Sequence, residues 1–585
     1  MIDFNEIEFL DARLEPDQKV IELLKNSSHL TIISDAKLRK RWLKLENSEL
    51  SQTEITNQIN YFATSLRSEF NIALASIAKH QSIFWRATRT AERNTLVNNL
   101  YLNVILLNIL LKHSFSKSKI LVLTDNYFLL NISRKSQTKL LAKILNFYKF
   151  LRIQIKTLKT LYNFTKYFFG NKLVAFHIPQ VKTDVIVHTF IDVESLKSFK
   201  YSERYFPGIA KFYKQNALSV SYLISGAGNF PLKIFKKMNA DDYIIFNEFK
   251  LYTWIDFFCT VRHILRLRKV KVKPFFVGGI DASELATEMH LLSGIDLGVA
   301  NAILRYRLGS KLSSKQITPR LLLVEFEGMI LEKMLNLGMQ KEQTNVKVFG
   351  FQHGAMFENL LCNYPTLDEQ DLGMIPDKII CNGDKFKELL INRGVPETKI
   401  VTGSALRYSY LYDSSKNNNP EPLLDLLVLL PMTISDCRDL IEIVEEGLSG
   451  LDIVAHYKPH PFNDLKEIGK LLERKSSVLV SGYLYESIFK YKVIAGMTTG
   501  ALLEAGLLGM NVIKIKRLLA LDFDTTFMNT ELRIEVENGL EFHKVLKNFL
   551  NNSNSKKFDE YLILKKSYFA PISTAGLNNF LPNSL

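Results

Sequence analysis

Apolar positions in this chain follow two rhythms. Phe62, Leu66, Phe70, Leu74 and Ile77 recur at helical spacing, and residues 1–100 read as mostly helical. The run Leu96–Leu111 is broken by Asn98, Asn99, Asn103 and Asn108 and falls short of the roughly 20 residues a bilayer span needs, so it predicts a buried helix. Beyond it, short apolar runs alternate with helical stretches. Strands are predicted at Ile120–Leu123, Asp184–Phe190, Leu218–Ile224, Tyr243–Phe246, Leu321–Glu325, Val346–Phe351 and Lys378–Cys381. A second series follows at Leu426–Leu430, Leu451–His456, Ser477–Val480, Lys492–Ala495 and Asn511–Ile515. Strands alternating with helices predict parallel sheets joined by right-handed crossovers. The polar, turn-rich segment Asp413–Pro422 predicts a linker. The expected division is a helical N-terminal extension over 1–115, a Rossmann-like domain over 116–415 and a second over 416–585, whose C-terminal helix packs back across the domains.

Composition agrees with a folded, multidomain chain. Its 585 residues exceed one hydrophobic core, and 47% hydrophobic with 23% charged residues is ordinary for globular proteins. Four scattered cysteines with no CxxC pair predict neither a zinc site nor a disulfide framework, which fits a reducing cytoplasm. The N-terminus lacks a signal-peptide layout. The net charge of +15 is unevenly placed: no Asp or Glu occurs from Asn126 to Thr183, where Lys and Arg from Arg134 to Lys172 interleave with apolar and aromatic residues. Such a stretch suits an anionic membrane surface or nucleic acid. It also suits a core-packed helix with a solvated basic face. A second basic run, Arg262–Lys273, reads the same two ways.

Candidate chemistry collects at strand ends. Lys458-Pro459-His460-Pro461 follows one apolar run; the prolines stiffen the loop and hold the imidazole beside a cation, an arrangement suited to a phosphate. Thr498-Thr499-Gly500 follows another and opens a helix, where unpaired N–H groups favour an anion. The same hydroxyls would also serve as an ordinary cap. Glu504, farther along that helix, is placed either to accept from a ribose or to face solvent. Side by side, these strand ends would form a nucleotide or nucleotide-sugar site.

Acids and a further histidine end the strands of the first series. Glu325 and Glu327 would face the same way if their strand continued, giving a candidate general base, with Glu332 nearby. Gln352, His353 and Gly354 end the next strand; His353 is placed to act as a base or to bind a phosphate or carboxylate. Ser404, between Gly403 and Ala405, would line the same cleft. A charged strand end or a structural histidine is the competing reading at each position.

The Lys-Pro-His-Pro segment, the Thr-Thr-Gly helix start and the Gln-His-Gly strand end resemble bacterial surface-carbohydrate biosynthesis proteins. These are similar to GT-B glycosyltransferases that use CMP-activated acidic sugars, such as sialyl- and polysialyltransferases, and are related to CDP-glycerol glycerophosphotransferases. The resemblance spans about residues 119–520 and implies an α/β, GT-B-like fold of two Rossmann-like domains facing a cleft. It implies phosphate contacts from His460, Thr498 and Thr499. The family's acid pair is contiguous, whereas here Phe326 separates Glu325 from Glu327. The expected activity is metal-independent transfer of an acidic sugar, nonulosonate or Kdo type, from a CMP-linked donor to a surface glycan or glycolipid. Lys458, His460, Pro461, Thr498, Thr499, Gly500 and Glu504 would hold the donor, and Glu325, Glu327 and His353 are the catalytic candidates. No cofactor and no metal ligands are assigned, and nucleic acid is not the expected partner. The expected location is cytoplasmic, peripheral on the inner membrane face through residues 134–172. The alternatives are a CDP-glycerol-type glycerophosphotransferase, a UDP-sugar GT-B transferase, or a membrane- or nucleic-acid-binding scaffold without activity.

Overall fold

The computed structural model describes residues 7–11, 30–34, 50–112, 119–124, 139–173, 182–191, 196–197, 200–226, 244–343, 345–413, 423–473, 477–482, 484–525, 530–551 and 561–582. Linker residues 414–422, Tyr243, Arg134 and Lys135 lie outside them. The chain falls into two compact units: residues 1–161 with 265–296 and 516–523, and residues 162–264 with 297–515 and 524–585.

The first unit holds a parallel sheet of β1 (Ile7–Asp11), β2 (Leu30–Ser34) and β3 (Lys119–Thr124) in the order β1-β3-β2. The N-terminal region is therefore not only helical, and the strand expected at Ile120–Leu123 belongs to this small sheet. Apolar runs as short as Ile7–Leu10 carry too little periodicity to separate strand from helix. Helices α1 (Leu50–Ser65), α2 (Arg67–Lys79) and α3 (Leu100–Lys112) follow the predicted pattern. Phe62, Leu66, Phe70, Leu74 and Ile77 are all buried, as are Val104, Ile105 and Ile109. Helix α4 (Lys139–Leu173) is one continuous helix. No helix among the described residues is long and apolar enough to cross a membrane.

The second unit contains two parallel sheets. In the first, β4 (Val185–Ile191), β5 (Val220–Gly226), β6 (Ile244–Phe246), β7 (Leu321–Glu325), β8 (Lys347–Phe351), β9 (Lys378–Cys381) and β10 (Ile400–Thr402) lie in the order β10-β9-β8-β7-β4-β5-β6. In the second, β11 (Leu424–Leu429), β12 (Ala455–Lys458), β13 (Ser477–Leu479), β14 (Tyr491–Gly496), β15 (Asn511–Ile515) and β16 (Ile534–Val536) lie in the order β13-β12-β11-β14-β15-β16. Each sheet winds outward from its first strand and then reverses, the doubly wound Rossmann pattern. This is the expected α/β, GT-B-like architecture.

Both faces of each sheet are covered, which is why the strands read as unbroken apolar runs. Along β7, Leu321 and Leu323 join one core cluster while Leu322 and Val324 join another. Along β11, Leu427 and Leu429 face one cluster and Leu426 and Val428 the other. The first of these also contains Phe326, Ile379 and Cys381, so one core runs between the two sheets. Helix α5 (Trp254–Leu267) precedes β7 in sequence, and α6 (Ile330–Glu342), α7 (Asp384–Asn392) and α8 (Ile434–Gly447) pack around the sheets; α8 buries Cys437, Leu440, Ile441 and Val444 at helical spacing. Strand β12 begins at Ala455, later than expected, so Lys458 is its last residue rather than the first of the loop.

The chain beyond residue 561 returns to the first sheet. Phe580 is fully buried beside Phe351, Tyr213 donates to the Phe580 carbonyl at 2.9 Å, and Asn579 donates to the Thr402 carbonyl at 2.8 Å. Phe569 stacks on Tyr408 at 3.9 Å.

Candidate functional site

At the topological switch of each sheet, between β4 and β7 and between β11 and β14, the crossovers part and leave a crevice at the carboxyl ends of the strands. A cavity of about 610 Å³ opens there, lined by loops from both sheets. That volume lies within the ordinary range for small-molecule sites.

From the second sheet come Lys458 and the Pro459–Pro461 loop after β12, and Thr499, Gly500 and Glu504 after β14. The His460 loop is fixed from within: its N–H donates to Asn463 Oδ1 at 2.7 Å, and Asn463 donates to the carbonyls of Pro431 and Met432, each at 3.1 Å. Nδ1 of His460 accepts from the Phe462 N–H at 3.2 Å. Burial, reinforced by Arg204 and Arg407, pulls the His460 pKa down to about 4. The ring is therefore neutral at pH 7 and carries its proton on Nε2, a hydrogen-bond donor. Lys458 donates to the Gly482 carbonyl.

The expected cap at Thr498 and Thr499 is only partly realised. The following helix, α9 (Ala501–Leu507), has just seven residues and starts at Gly500 with no side-chain cap. Thr499 Oγ1 accepts from the Ala501 N–H at a long 3.4 Å. Thr499 lines the cavity; Thr498 does not. Glu504 faces the cavity and accepts from the Tyr410 hydroxyl, and burial raises its pKa against the pull of Arg407.

The two acids of the first sheet do not face the same way. Strand β7 stops at Glu325, and Gly328 (φ +71°) turns the chain into α6. Glu325 stays under the sheet end, 1% exposed and outside the cavity lining, with no hydrogen-bond partner for Oε1. Burial, then the charges of Glu327, Glu332 and Glu203, push its pKa well above the carboxylate range, which favours the protonated form. Glu327 reaches the cavity. Its backbone is held at both ends: Glu332 accepts from the N–H groups of Glu327 and Gly328 at 2.8 and 2.9 Å, and Asn363 donates to the Glu327 carbonyl at 2.6 Å. Burial raises the pKa of Glu327 and Arg407 opposes the rise.

His353 lies beside it, with Nε2 3.2 Å from Glu327 Oε1. Burial, then Arg407 and Arg204, hold this imidazole well below the ordinary histidine range. Lowered in this way, the ring favours the neutral form, and its contact with Glu327 is not that of a counter-ion. Gly354 lines the cavity. Gln352 does not: its side chain accepts from the Asn382 N–H at 3.0 Å and bridges to the Gly354 carbonyl, bracing the strand end. Ser404 is also a brace, fully buried and accepting from the Ser573 N–H at 3.1 Å.

The cavity contains cations that the motif reading missed. Arg204 follows β4 and Arg407 follows β10; both line the cavity, and both act on His353 and His460. Glu203 fixes the first loop by accepting from the N–H groups of Tyr205 and Phe206 at 2.7 and 3.0 Å. Tyr410 and Tyr485 add an aromatic wall, ring centroids 5.5 Å apart. The available signal was position alone: each of these segments follows the carboxyl end of a strand.

An Asp-x-Asp spacing occurs at Asp522 and Asp524, neither of which lines the cavity. Lys514 meets Asp524 at 3.2 Å and Glu535 at 2.8 Å, and Arg533 also pairs with Asp524.

No family model and no curated protein matches the chain. Solved structures do show similarity. UDP-GlcNAc 2-epimerase from Neisseria meningitidis, bound to UDP-GlcNAc, is 14% identical, covering 68% of this chain and 96% of its own, with a TM-score of 0.38. The lipopolysaccharide outer core galactosyltransferase WaaB is 11% identical over 68% of this chain and 98% of its own, TM-score 0.36. MurG from Acinetobacter baumannii is 11% identical over 67% and 96%, TM-score 0.35.

Proposed function

We propose that the protein is a glycosyltransferase that moves an acidic sugar from a CMP-linked donor to a hydroxyl of a glycan or glycolipid. The observation that carries this reading is the meeting, in one cavity, of a carboxylate of raised pKa with a neutral histidine donor and three cations. Glu327 takes the proton of the acceptor hydroxyl, and that oxygen attacks the anomeric carbon of the donor. The bond from this carbon to the phosphate oxygen breaks, and CMP leaves with the electron pair. Nε2–H of His460 and the Lys458 ammonium stabilise the phosphate, so no metal is called for. Arg204 and Arg407 meet the second negative group, the carboxylate of the sugar. The pair Tyr410–Glu504 supports the nucleoside.

A thermal-shift series with CMP, CDP, UMP, UDP and GDP tests the reading, with His460→Ala beside the natural protein. A ligand at 100 times its Kd stabilises the folded state by about 2.7 kcal/mol. The expected result is selective stabilisation by CMP, lost in the variant. Preference for CDP or UDP would assign the cavity to a glycerophosphate or UDP-sugar transferase, and no shift with any nucleotide would overturn a nucleotide-dependent function.

A further inference from the structure

Helix α4 turns its polarity the wrong way round for a surface helix. Phe147, Leu151, Ile155 and Leu158 fall at spacings of three and four and so share one face. They are 59%, 38%, 63% and 67% exposed, with Tyr148 and Phe150 exposed beside them. Cations on the same helix point inward instead. Lys149 pairs with buried Glu288 at 2.9 Å, and Lys156 donates to the Leu292 carbonyl at 2.6 Å. Lys159 is exposed at the edge of the apolar stripe, and Arg152 is half-buried. The helix contains no carboxylate. A second helix repeats the signature by itself: Trp254, Ile255 and Phe258 of α5 are exposed, followed by exposed Arg262 and Arg266.

We propose that the exposed face of α4 seats in the headgroup region of an anionic lipid bilayer, lying in its plane. Aliphatic side chains at Leu151, Ile155 and Leu158 offer nothing for a base to pair or stack with, but they fit hydrocarbon. Lys159 at the rim suits negative partners, which anionic headgroups supply and a second copy of the same carboxylate-free face does not. None of these residues lines the cavity.

Sedimentation of the full chain with vesicles of phosphatidylcholine, with and without phosphatidylglycerol, tests the proposal. Three proteins are compared: the natural chain, the triple variant Leu151→Ser, Ile155→Ser, Leu158→Ser, and Lys159→Glu, which changes only an exposed charge. The expected result is binding to the anionic vesicles that weakens with salt. Affinity should fall by more than about ten-fold in the triple variant and by about five-fold for each unit of charge lost at Lys159. No binding to anionic vesicles, or equal binding by all three proteins, overturns the proposal. So does lipid-free self-association abolished by the triple variant, which would make the face a self-interface. Salt-sensitive capture of RNA without vesicle binding would overturn it as well.

Discussion

In the reaction proposed above Glu327 is the base, and its surroundings set both its charge and its aim. Replacing it with glutamine keeps size and hydrogen bonds but removes the base. Turnover should fall by about 10²–10⁴-fold, while nucleotide-induced stabilisation is retained; an unchanged kcat would acquit this side chain. The acid limb of kcat/KM follows from the same environment. The working form is the carboxylate, and burial raises its pKa above the ordinary 4.5. Activity should therefore be full at high pH and decline as pH falls through that raised value. His460 titrates near 4, so it cannot supply a limb closer to neutrality. A limb at the ordinary carboxylate position would mean that the cavity leaves Glu327 as well hydrated as a surface acid. Lys458, His460 and Glu504 reach the cavity, as their places at, just after and one helical turn beyond predicted strand ends suggest. The choice between Glu325 and Glu327 was not legible from sequence, since alternation predicts a common face only while a strand continues. The end of β7 and the turn at Gly328 bring Glu327 and not Glu325 to the cavity, and both depend on what packs against that loop. Arg204 and Arg407 were illegible for another reason: an arginine in a loop carries no periodic signal.

At the level of elements, the site is a set of short loops, each fixed by a neighbour. The loop after β7 is the most constrained. A Cβ on Gly328 would lie 1.8 Å from the Cys362 carbonyl oxygen, a backbone atom that cannot swing aside, and the φ of +71° is itself costly for other residues. Gly328→Ala should therefore displace Glu327 and its hydrogen bonds to Glu332. The expected outcome is a loss of about 1–3 kcal/mol in unfolding free energy by denaturant titration, with activity reduced more than stability alone explains. A variant with natural stability and turnover would show that this turn is not what positions the acid. Most strands of the two large sheets were predictable because a parallel strand covered on both faces is an unbroken apolar run, as in Leu321–Val324. The three-residue strands β10 and β16 were not, although β6 and β13, of the same length, were. Helix α4 was visible as a basic, aromatic stretch, but which of its faces points outward was a matter of tertiary packing.

For the second unit as a whole, two sheets share one core and a returning C-terminal segment. Phe580 fills a position between Phe351 and Tyr213 although it follows the entire second sheet in sequence. Phe580→Ala should cost about 3–5 kcal/mol, read as a lower denaturant midpoint, even though Phe580 does not line the cavity. A change of only a few tenths would show that the first sheet is complete without it. The alternation of strands and helices made two Rossmann-like halves legible; that the first needs residues from beyond the second was not, because a short apolar tail does not name its docking place. The same arrangement sets a clock on biosynthesis. At about 5–20 residues per second, the interval between making Thr402 and making Phe580 is on the order of ten to forty seconds. Throughout it the first sheet emerges with its Phe351 side still uncovered, so a nascent chain of this protein should be a client for holding factors until the second sheet has been translated.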